Sequence, residues 1–273
     1  MFKPLTNDKL MFPISAISVS STINSTTILQ KAARLAAKLD LPFTPSIEDR
    51  ASEVVLAYTP KGLQLLHMPQ NSQKSNCLLF VDFVHGKNGF RLAQNRTIKQ
   101  SIARAVGVKS GFRPTILDGT AGLGADSFVL ASLDCSVTLC ERSPIIGALL
   151  EDGFYRAAQD EKTANIVKTR INLVLGDAQE YLQKNKTAFH TIYLDPMYPH
   201  SNKSALNKQA LRIIRSLVGG DSDGAKLLEI ALKKAQNRVV VKRPRQAPRL
   251  SDIQPSHVIL MKNSRFDIYL TFK

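Results

Sequence analysis

The segment at 195–200, with the sequence DPMYPH, places a carboxylate, a rigid proline and an aromatic ring close together. An amine attached to a planar ring is a poor nucleophile, because its lone pair is delocalised into the ring. The Asp195 carboxylate and the Pro196 carbonyl can accept the two N–H bonds of such an amine and favour a pyramidal nitrogen. Tyr198 can stack on an extruded base. The segment therefore predicts chemistry on a base amine, with a tight proline turn as the structural alternative.

A glycine-rich segment, DGTAGLGAD at 118–126, lies where a predicted strand turns into a helix. Glycines let the backbone approach a ligand closely, and free amides at a helix start face that ligand. The G-x-x-G-x-G spacing, which includes Gly122 and Gly124, differs from the G-x-G-x-x-G that binds a pyrophosphate. Asp118 would repel a diphosphate but suits the ammonium of a methionine moiety. The turn therefore favours a methionine-bearing ligand over a dinucleotide.

Two further acids follow predicted strands. Glu141 ends the second strand, where a carboxylate can accept both hydroxyls of a ribose. Asp177 follows the third strand, where a polar group commonly meets an adenine amine. Each acid alone is equally well explained as a loop residue or a helix cap. Because open α/β sheets bind ligands at the carboxyl ends of their strands, the acids together predict a nucleoside site.

The elements that must position these residues follow the pattern of βαβ units from Pro114 onwards. A C-terminal pair of strands at 258–261 and 265–272 is joined by only three residues, which permits only an antiparallel hairpin. We therefore predict an α/β protein with a mostly parallel seven-stranded sheet, the Rossmann-like layout of class I S-adenosylmethionine-dependent methyltransferases. The other predicted strands are 115–117, 137–140, 171–175, 191–194 and 238–241, and the predicted helices are 124–133, 144–158, 178–184, 204–218 and 224–236.

The first hundred residues predict a smaller α+β region. Thr26 and Thr27 can cap a helix that ends before Pro42, and strand-like runs follow at 53–58, 63–68 and 77–84. The predicted domains are therefore residues 1–109 and the methyltransferase domain at 110–273.

Composition narrows the partners and the compartment. The 37 Lys and Arg against 22 Asp and Glu leave a formal charge of +15, which favours a polyanion such as nucleic acid. No stretch reaches the roughly 18 apolar residues that a membrane helix needs, and the N-terminus lacks the pattern of a signal peptide. Three cysteines without a C-x-x-C pair, and histidines without ligand spacing, argue against disulfides and a metal site. We expect a cytoplasmic protein that neither associates with a membrane nor binds a metal ion.

Several motifs together resemble one family. They are DGTAGLGAD, LCERSP with GALLEDG, YLDPMYPH followed by KSAL, VVVKRP and SRFDIYL, and the likeness covers residues 110–273, with VDFVHG at 81–86 extending it. The chain is similar to the bacterial small-subunit ribosomal RNA guanine-N2 methyltransferases of the RsmJ type. The resemblance implies transfer of a methyl group from S-adenosylmethionine to the N2 amine of one guanine in 16S ribosomal RNA, either free or in the small ribosomal subunit.

The resemblance also implies cofactor contacts beyond those argued from the residues. The cofactor contacts that the resemblance implies are Ala125, Asp126, Glu141, Arg142, Asp177, Ala178 and Asp195.

Two basic residues follow the fifth parallel strand. Lys242 and Arg243 are candidates for contacts with RNA phosphates, or else an ordinary exposed basic pair.

Alternative functions stay open at this point. The same loop serves any planar amine, so an adenine-N6 methyltransferase acting on RNA or DNA is the main alternative. A non-catalytic RNA-binding assembly protein on the same fold is the second, although Asp118, Glu141 and Asp195 are all retained. A nicotinamide dehydrogenase is disfavoured by the glycine spacing and the terminal hairpin.

Overall fold

The computed structural model describes residues 17–50, 52–69, 75–85, 97–196 and 223–271. Within them the strands are β1 (Ile17–Ser21), β2 (Val54–Thr59), β3 (Gly62–His67), β4 (Asn76–Phe80), β5 (Ile116–Asp118), β6 (Val137–Glu141), β7 (Ile171–Leu175), β8 (Thr191–Leu194), β9 (Arg238–Pro244), β10 (His257–Leu260) and β11 (Ser264–Leu270). The helices are α1 (Thr26–Leu39), α2 (Ser101–Val106), α3 (Ala125–Ser132), α4 (Pro144–Ala157), α5 (Ala164–Arg170), α6 (Ala178–Lys184) and α7 (Gly224–Lys234).

One compact unit comprises the described parts of 1–81 and 143–156. Its four-stranded sheet has the order β1-β2-β3-β4, with β1 parallel to β2 and the other pairs antiparallel. The three strands predicted at 53–58, 63–68 and 77–84 are therefore confirmed as β2, β3 and β4. Helix α4 belongs to this unit, since its buried Asp152 accepts the backbone N–H of Leu63 at 2.9 Å. The predicted domain boundary at residue 109 left this helix in the second domain, and that boundary stays a prediction.

The second unit comprises the described parts of 82–142, 157–201 and 221–273. Its seven-stranded sheet has the order β10-β11-β9-β8-β5-β6-β7. Neighbours from β9 to β7 are parallel, whereas β11 is antiparallel to both β9 and β10. The predicted mostly parallel sheet with a terminal antiparallel hairpin is therefore confirmed.

The core of the second unit explains why these strands read as apolar runs. Val239 and Val241 of β9 are fully buried, and so is Ile192 of β8. Helices α6 and α7 pack on this face through Leu182 and Leu228. Because the five parallel strands run in one direction, their carboxyl ends share one edge, and the residues that follow them must meet there.

Three short elements were not predicted. Strand β1 alternates Ile17 and Val19 with serines, and all of these side chains are buried. Helices α2 and α5 have six and seven residues. The predicted helix at 204–218 lies outside the described residues, as does Tyr198. No helix in the described part of the chain is both long and apolar enough to cross a bilayer.

Candidate active site

The glycine turn after β5 is built around a buried carboxylate. Gly122 and Gly124 have φ angles of 53° and 72°, in the left-handed region that favours glycine. Asp118 is 2% exposed, and its Oδ1 accepts the backbone N–H of Thr120 at 3.1 Å while its Oδ2 accepts the hydroxyl of Ser127 at 2.6 Å. Asp118 therefore ties the strand end to both the turn and helix α3. Direct contact with a ligand ammonium stays a prediction.

The environment of Asp118 changes its acidity. Burial, aided by the nearby charges of Asp126 and Asp195, raises its pKa to about 7, against the lowering effect of its two hydrogen bonds. Protonated Asp118 is therefore well populated near neutral pH.

Glu141 links the second parallel strand to the glycine turn. Its side chain is buried at the end of β6, and Oε2 accepts the backbone N–H of Gly122 at 2.9 Å. Its own carbonyl accepts the N–H of Gly176 at 2.8 Å, which joins the ends of β6 and β7. The carboxylate thus lies between the turn and the third strand, where the sequence placed a ribose contact.

Asp177 caps helix α6. Its Oδ1 accepts the backbone N–H groups of Gln179 at 2.7 Å and Glu180 at 3.2 Å, and Ala178 behind it is buried. The helix-cap interpretation of Asp177 is therefore confirmed, while its contact with an adenine stays a prediction. A cavity of about 390 Å³ lies beside it, lined by residues of β7 and α6.

Arg142 and Asp223 form a further connection at this edge. Nη1 of Arg142 lies 3.1 Å from Oδ2 of Asp223, and Gln179 Nε2 donates to the same oxygen at 3.0 Å. The start of α7 is thereby held beside the ends of β6 and β7. Arg142 has an acidic partner within the chain itself, which the sequence did not indicate.

The loop after β8 is in direct contact with the glycine turn. The backbone N–H of Asp195 donates to Thr120 Oγ1 at 2.6 Å. Nζ of Lys242, on β9, donates to Asp195 Oδ2 at 2.9 Å and to Asp126 Oδ2 at 2.6 Å. The hydroxyl of buried Tyr193 donates to the same Asp126 oxygen at 2.7 Å. The two loops are therefore adjacent, and one ammonium joins an acid from each.

Lys242 stays charged in this position. Burial alone would lower its pKa, but the carboxylates of Asp195 and Asp126 raise it above the ordinary value of a lysine. The cation offsets part of the repulsion among the three carboxylates at 118, 126 and 195.

The interpretation of Lys242 and Arg243 as an ordinary exposed basic pair was wrong. Arg243 is 5% exposed, and its guanidinium donates to the carbonyl of Pro248 at 3.1 and 3.2 Å. Neither side chain is an ordinary surface cation, because each has partners within the chain. The available signal for Lys242 was a lysine directly after the apolar run at 239–241, at an edge where acids converge.

The other groups near this edge that could take part in chemistry are a proline, a tyrosine and a cysteine. Pro196 is buried beside Asp195, and Tyr198 lies outside the described residues. Burial raises the pKa of the Cys140 thiol to about 12, so it is a poor nucleophile at neutral pH. Among the described residues, no group of three or more His, Cys, Asp or Glu side chains is placed to hold a metal ion.

The sheet order, the glycine turn and the acids along one edge define a class I S-adenosylmethionine-dependent methyltransferase. Residues 34–271 match the SAM_MT family of SAM-dependent methyltransferases. A solved SAM-dependent methyltransferase from Neisseria gonorrhoeae is 32% identical, with a TM-score of 0.69, over 93% of this chain and 96% of that one.

Two curated relatives make the assignment more specific. Ribosomal RNA small subunit methyltransferase J of Desulfotalea psychrophila is 49% identical over 93% of this chain and 97% of its own length. The protein of the same name from Thioalkalivibrio sulfidiphilus is 45% identical over 94% of this chain and 100% of its own. The chain belongs to the ribosomal RNA small subunit methyltransferase J family, an enzyme family whose cofactor is S-adenosylmethionine.

Proposed function

We propose that this enzyme methylates the exocyclic N2 amine of a guanine in 16S ribosomal RNA. The observation that carries the proposal is the contact between the loop after β8 and the glycine turn, at 2.6 Å from the Asp195 N–H to Thr120 Oγ1. It brings the carboxylate suited to a base amine next to the turn suited to the cofactor. The names of the curated relatives support small-subunit ribosomal RNA as the substrate. Such a substrate favours a cytoplasmic location.

The residues of this edge fit S-adenosylmethionine. Glu141 and Asp177, at the ends of adjacent strands, suit the ribose hydroxyls and the adenine amine. The neighbouring residues that the family resemblance implies, Ala125, Asp126, Arg142 and Ala178, lie at the same edge. When bound, the cofactor supplies an electrophilic methyl group on a sulfonium, which is already a good leaving group.

Asp195 and Pro196 act on the amine. The Asp195 carboxylate and the Pro196 carbonyl accept its two N–H bonds, and this orients the nitrogen lone pair for attack. The ammonium of Lys242 donates to Asp195 Oδ2 at 2.9 Å and so fixes the orientation of the carboxylate. Tyr198 completes the site by stacking on the extruded base.

One proton must leave the nitrogen after the transfer. The methylated amine carries a positive charge and is far more acidic than the neutral amine, so even a carboxylate paired with Lys242 can accept this proton. Asp195 already accepts that N–H in the proposed geometry, and the proton moves along the existing hydrogen bond.

The test compares the wild type with Asp195→Ala. The variant is expected to lose methyl transfer to small-subunit ribosomal RNA, while calorimetry gives a cofactor affinity within about tenfold of wild type, since one of several contacts is removed. Retained activity in this variant would contradict the mechanism.

The nucleoside product separates the alternatives. Mass spectrometry of ribosomal RNA from cells lacking the protein is expected to show one guanine without its N2 methyl group. Labelled cofactor offered with RNA and with DNA tests the adenine-N6 alternative, which predicts N6-methyladenosine or its deoxy form instead. Absence of cofactor binding by the wild type would favour a non-catalytic assembly protein.

A further inference from the structure

The loop that begins with the last residue of β9, residues 244–249, is fixed by two arginines. Arg243 donates to the carbonyl of Pro248 at 3.1 and 3.2 Å. Nη1 of Arg265 lies 3.2 Å from the carbonyl of Pro244, 2.9 Å from that of Arg245 and 2.8 Å from that of Ala247. Four carbonyls of a six-residue loop are therefore bound by guanidinium groups, so we name it the arginine-fixed loop.

The supporting arginines are themselves well anchored. The side chain of Arg265 is 11% exposed and donates to both carboxylate oxygens of Asp267 at 2.7 and 3.1 Å. Asp267 is 1% exposed, and Arg243 is 5% exposed. Such bidentate pairs hold a guanidinium in one orientation. The loop backbone is consequently ordered by the protein itself before any partner binds.

The arginine-fixed loop presents cations outwards. Arg245 and Arg249 are exposed, and no acidic residue occurs from 244 to 251; the next along the chain is Asp252. Nη1 of Arg245 donates to the carbonyl of Met261 at 3.2 Å, which ties the loop to the β10–β11 turn and its exposed Lys262. The arginine-fixed loop and the β10–β11 turn thus form one positively charged surface.

This surface lies at the edge where the reaction is proposed to occur. Lys242, which contacts Asp195, is only two residues before Pro244 on the same strand. At about 3.3 Å per strand residue, the loop begins about 7 Å beyond that contact. An RNA strand that delivers a base to Asp195 must pass its backbone over neighbouring parts of this edge.

We propose that Arg245, Arg249 and Lys262 bind phosphates of the RNA strand that flanks the target nucleotide, an inference that rests on the proposed RNA substrate. The preordered loop lowers the entropy cost of forming these contacts. Arginine suits phosphate because its planar fork donates two parallel hydrogen bonds.

The test replaces all three cations with glutamine, as Arg245→Gln, Arg249→Gln and Lys262→Gln together. The logarithm of the RNA dissociation constant is measured against the logarithm of the salt concentration. Each lost phosphate contact is expected to reduce the slope by about 0.7 for a single strand, so the triple variant loses up to about 2. Its KM for RNA rises about tenfold or more, while kcat and the cofactor dissociation constant stay near wild type.

A matched control removes three exposed lysines remote from the proposed surface. The control is expected to change the slope by less than half of the effect of the triple variant, and the urea midpoints of both proteins verify folding. The double variant Arg245→Lys with Arg249→Lys keeps the charges and is expected to retain most of the wild-type salt slope. The control substitutions are Lys162→Gln, Lys168→Gln and Lys234→Gln.

The outcomes separate this inference from the proposed function. If the wild type methylates small-subunit RNA but the triple variant keeps the wild-type slope and KM, the loop does not bind phosphate while the function stands. A defect seen only with assembled subunits and not with naked RNA would assign the surface to a ribosomal protein and also overturn the inference. A wild type that modifies neither substrate would contradict the proposed function itself.

Discussion

Lys242 lies between Asp126, on the first turn of α3, and Asp195, in the loop after β8. Tyr193 donates to the same oxygen of Asp126 that Lys242 binds. The Asp126 carboxylate that binds the ammonium is therefore itself fixed by a hydrogen bond. A charge-assisted pair of this kind restricts the rotamers of Asp195. We infer that Lys242 is a positioning residue for the carboxylate that receives the base amine.

Lys242→Met is expected to lower kcat by about 100-fold, because a displaced Asp195 no longer aims the amine. The cofactor dissociation constant and the KM for RNA change much less, and Lys242→Arg restores activity to within about tenfold of wild type by keeping the charge. Single-turnover kinetics and calorimetry measure these quantities. A loss confined to KM, or an Arg variant as poor as Met, would contradict the positioning role.

Asp118 makes the stability of the protein depend on pH. Its pKa is raised to about 7 by burial in the folded chain, whereas an unfolded aspartate titrates near about 3.9. The folded state therefore binds the extra proton between these values. This contribution to the free energy of unfolding is fully present below about pH 4 and is lost as the pH rises through about 7.

Asp118→Asn removes that dependence. The wild type is expected to lose stability relative to the variant between pH 5 and pH 8, as measured by urea unfolding at both values. Asp252→Asn, at an exposed loop position, serves as the control and is expected to show no such trend. An equal difference between wild type and Asp118→Asn at both pH values would contradict the raised pKa.

The sequence predicted the acids of the site better than their partners. Glu141, Asp177 and Asp195 are recognisable because each follows an apolar run that reads as a strand. The partner of Asp195 was not predictable, since Lys242 is 47 residues away and the pairing depends on β8 and β9 being neighbours. Residue types show which chemistry is possible, while strand order decides which groups meet.

At the scale of elements, the glycine turn between β5 and α3 requires left-handed backbone conformations that favour glycine. Gly122 has a φ angle of 53°, and its N–H is bound by Glu141. Gly111 has a similar φ angle of 72°, and a Cβ atom there would meet nothing within 4 Å. A Cβ atom at Gly122 would also be nearly free, meeting only the Thr120 carbonyl oxygen at 3.9 Å, so the two positions differ mainly in the hydrogen bond from the Gly122 N–H to Glu141.

Gly122→Ala and Gly111→Ala are each expected to destabilise the protein by about 1 kcal/mol, the cost of a left-handed conformation for a residue with a Cβ atom. Only Gly122→Ala is expected to weaken cofactor binding, because the added methyl group and any relaxation of the turn act where the cofactor is proposed to bind. Urea unfolding and calorimetry measure the two effects. Equal cofactor affinities in both variants would argue against ligand contact at this turn.

Most helices and strands were predictable from their apolar pattern, including the short β5 and β8, but β1, α2 and α5 were not. Helix α7 was predicted from the sequence. Its apolar positions recur at helical spacing and are buried against the sheet. Strand β1 was missed because its serines read as polar, although Ser18 and Ser20 are buried. Tertiary burial determines such segments, and local pattern carries little of that information.

At the scale of the whole molecule, the charge of +15 governs encounters with RNA. The KM for RNA is expected to rise steeply as salt increases from 50 to 200 mM, whereas the cofactor dissociation constant changes little over the same range, since fewer counterions are released on its binding. Steady-state kinetics and calorimetry at matched salt provide the comparison. A salt-independent KM would show that association does not depend on phosphate contacts.

Strand β11 lies between β9 and β10, although it follows both in the chain. Until it docks, β10 has no partner among the described strands, and β9 presents an open row of backbone donors and acceptors. Such a row is a template for pairing with a second polypeptide. We therefore expect a newly synthesised chain to be most open to pairing with a second polypeptide in the time before Ser264–Leu270 inserts between β9 and β10.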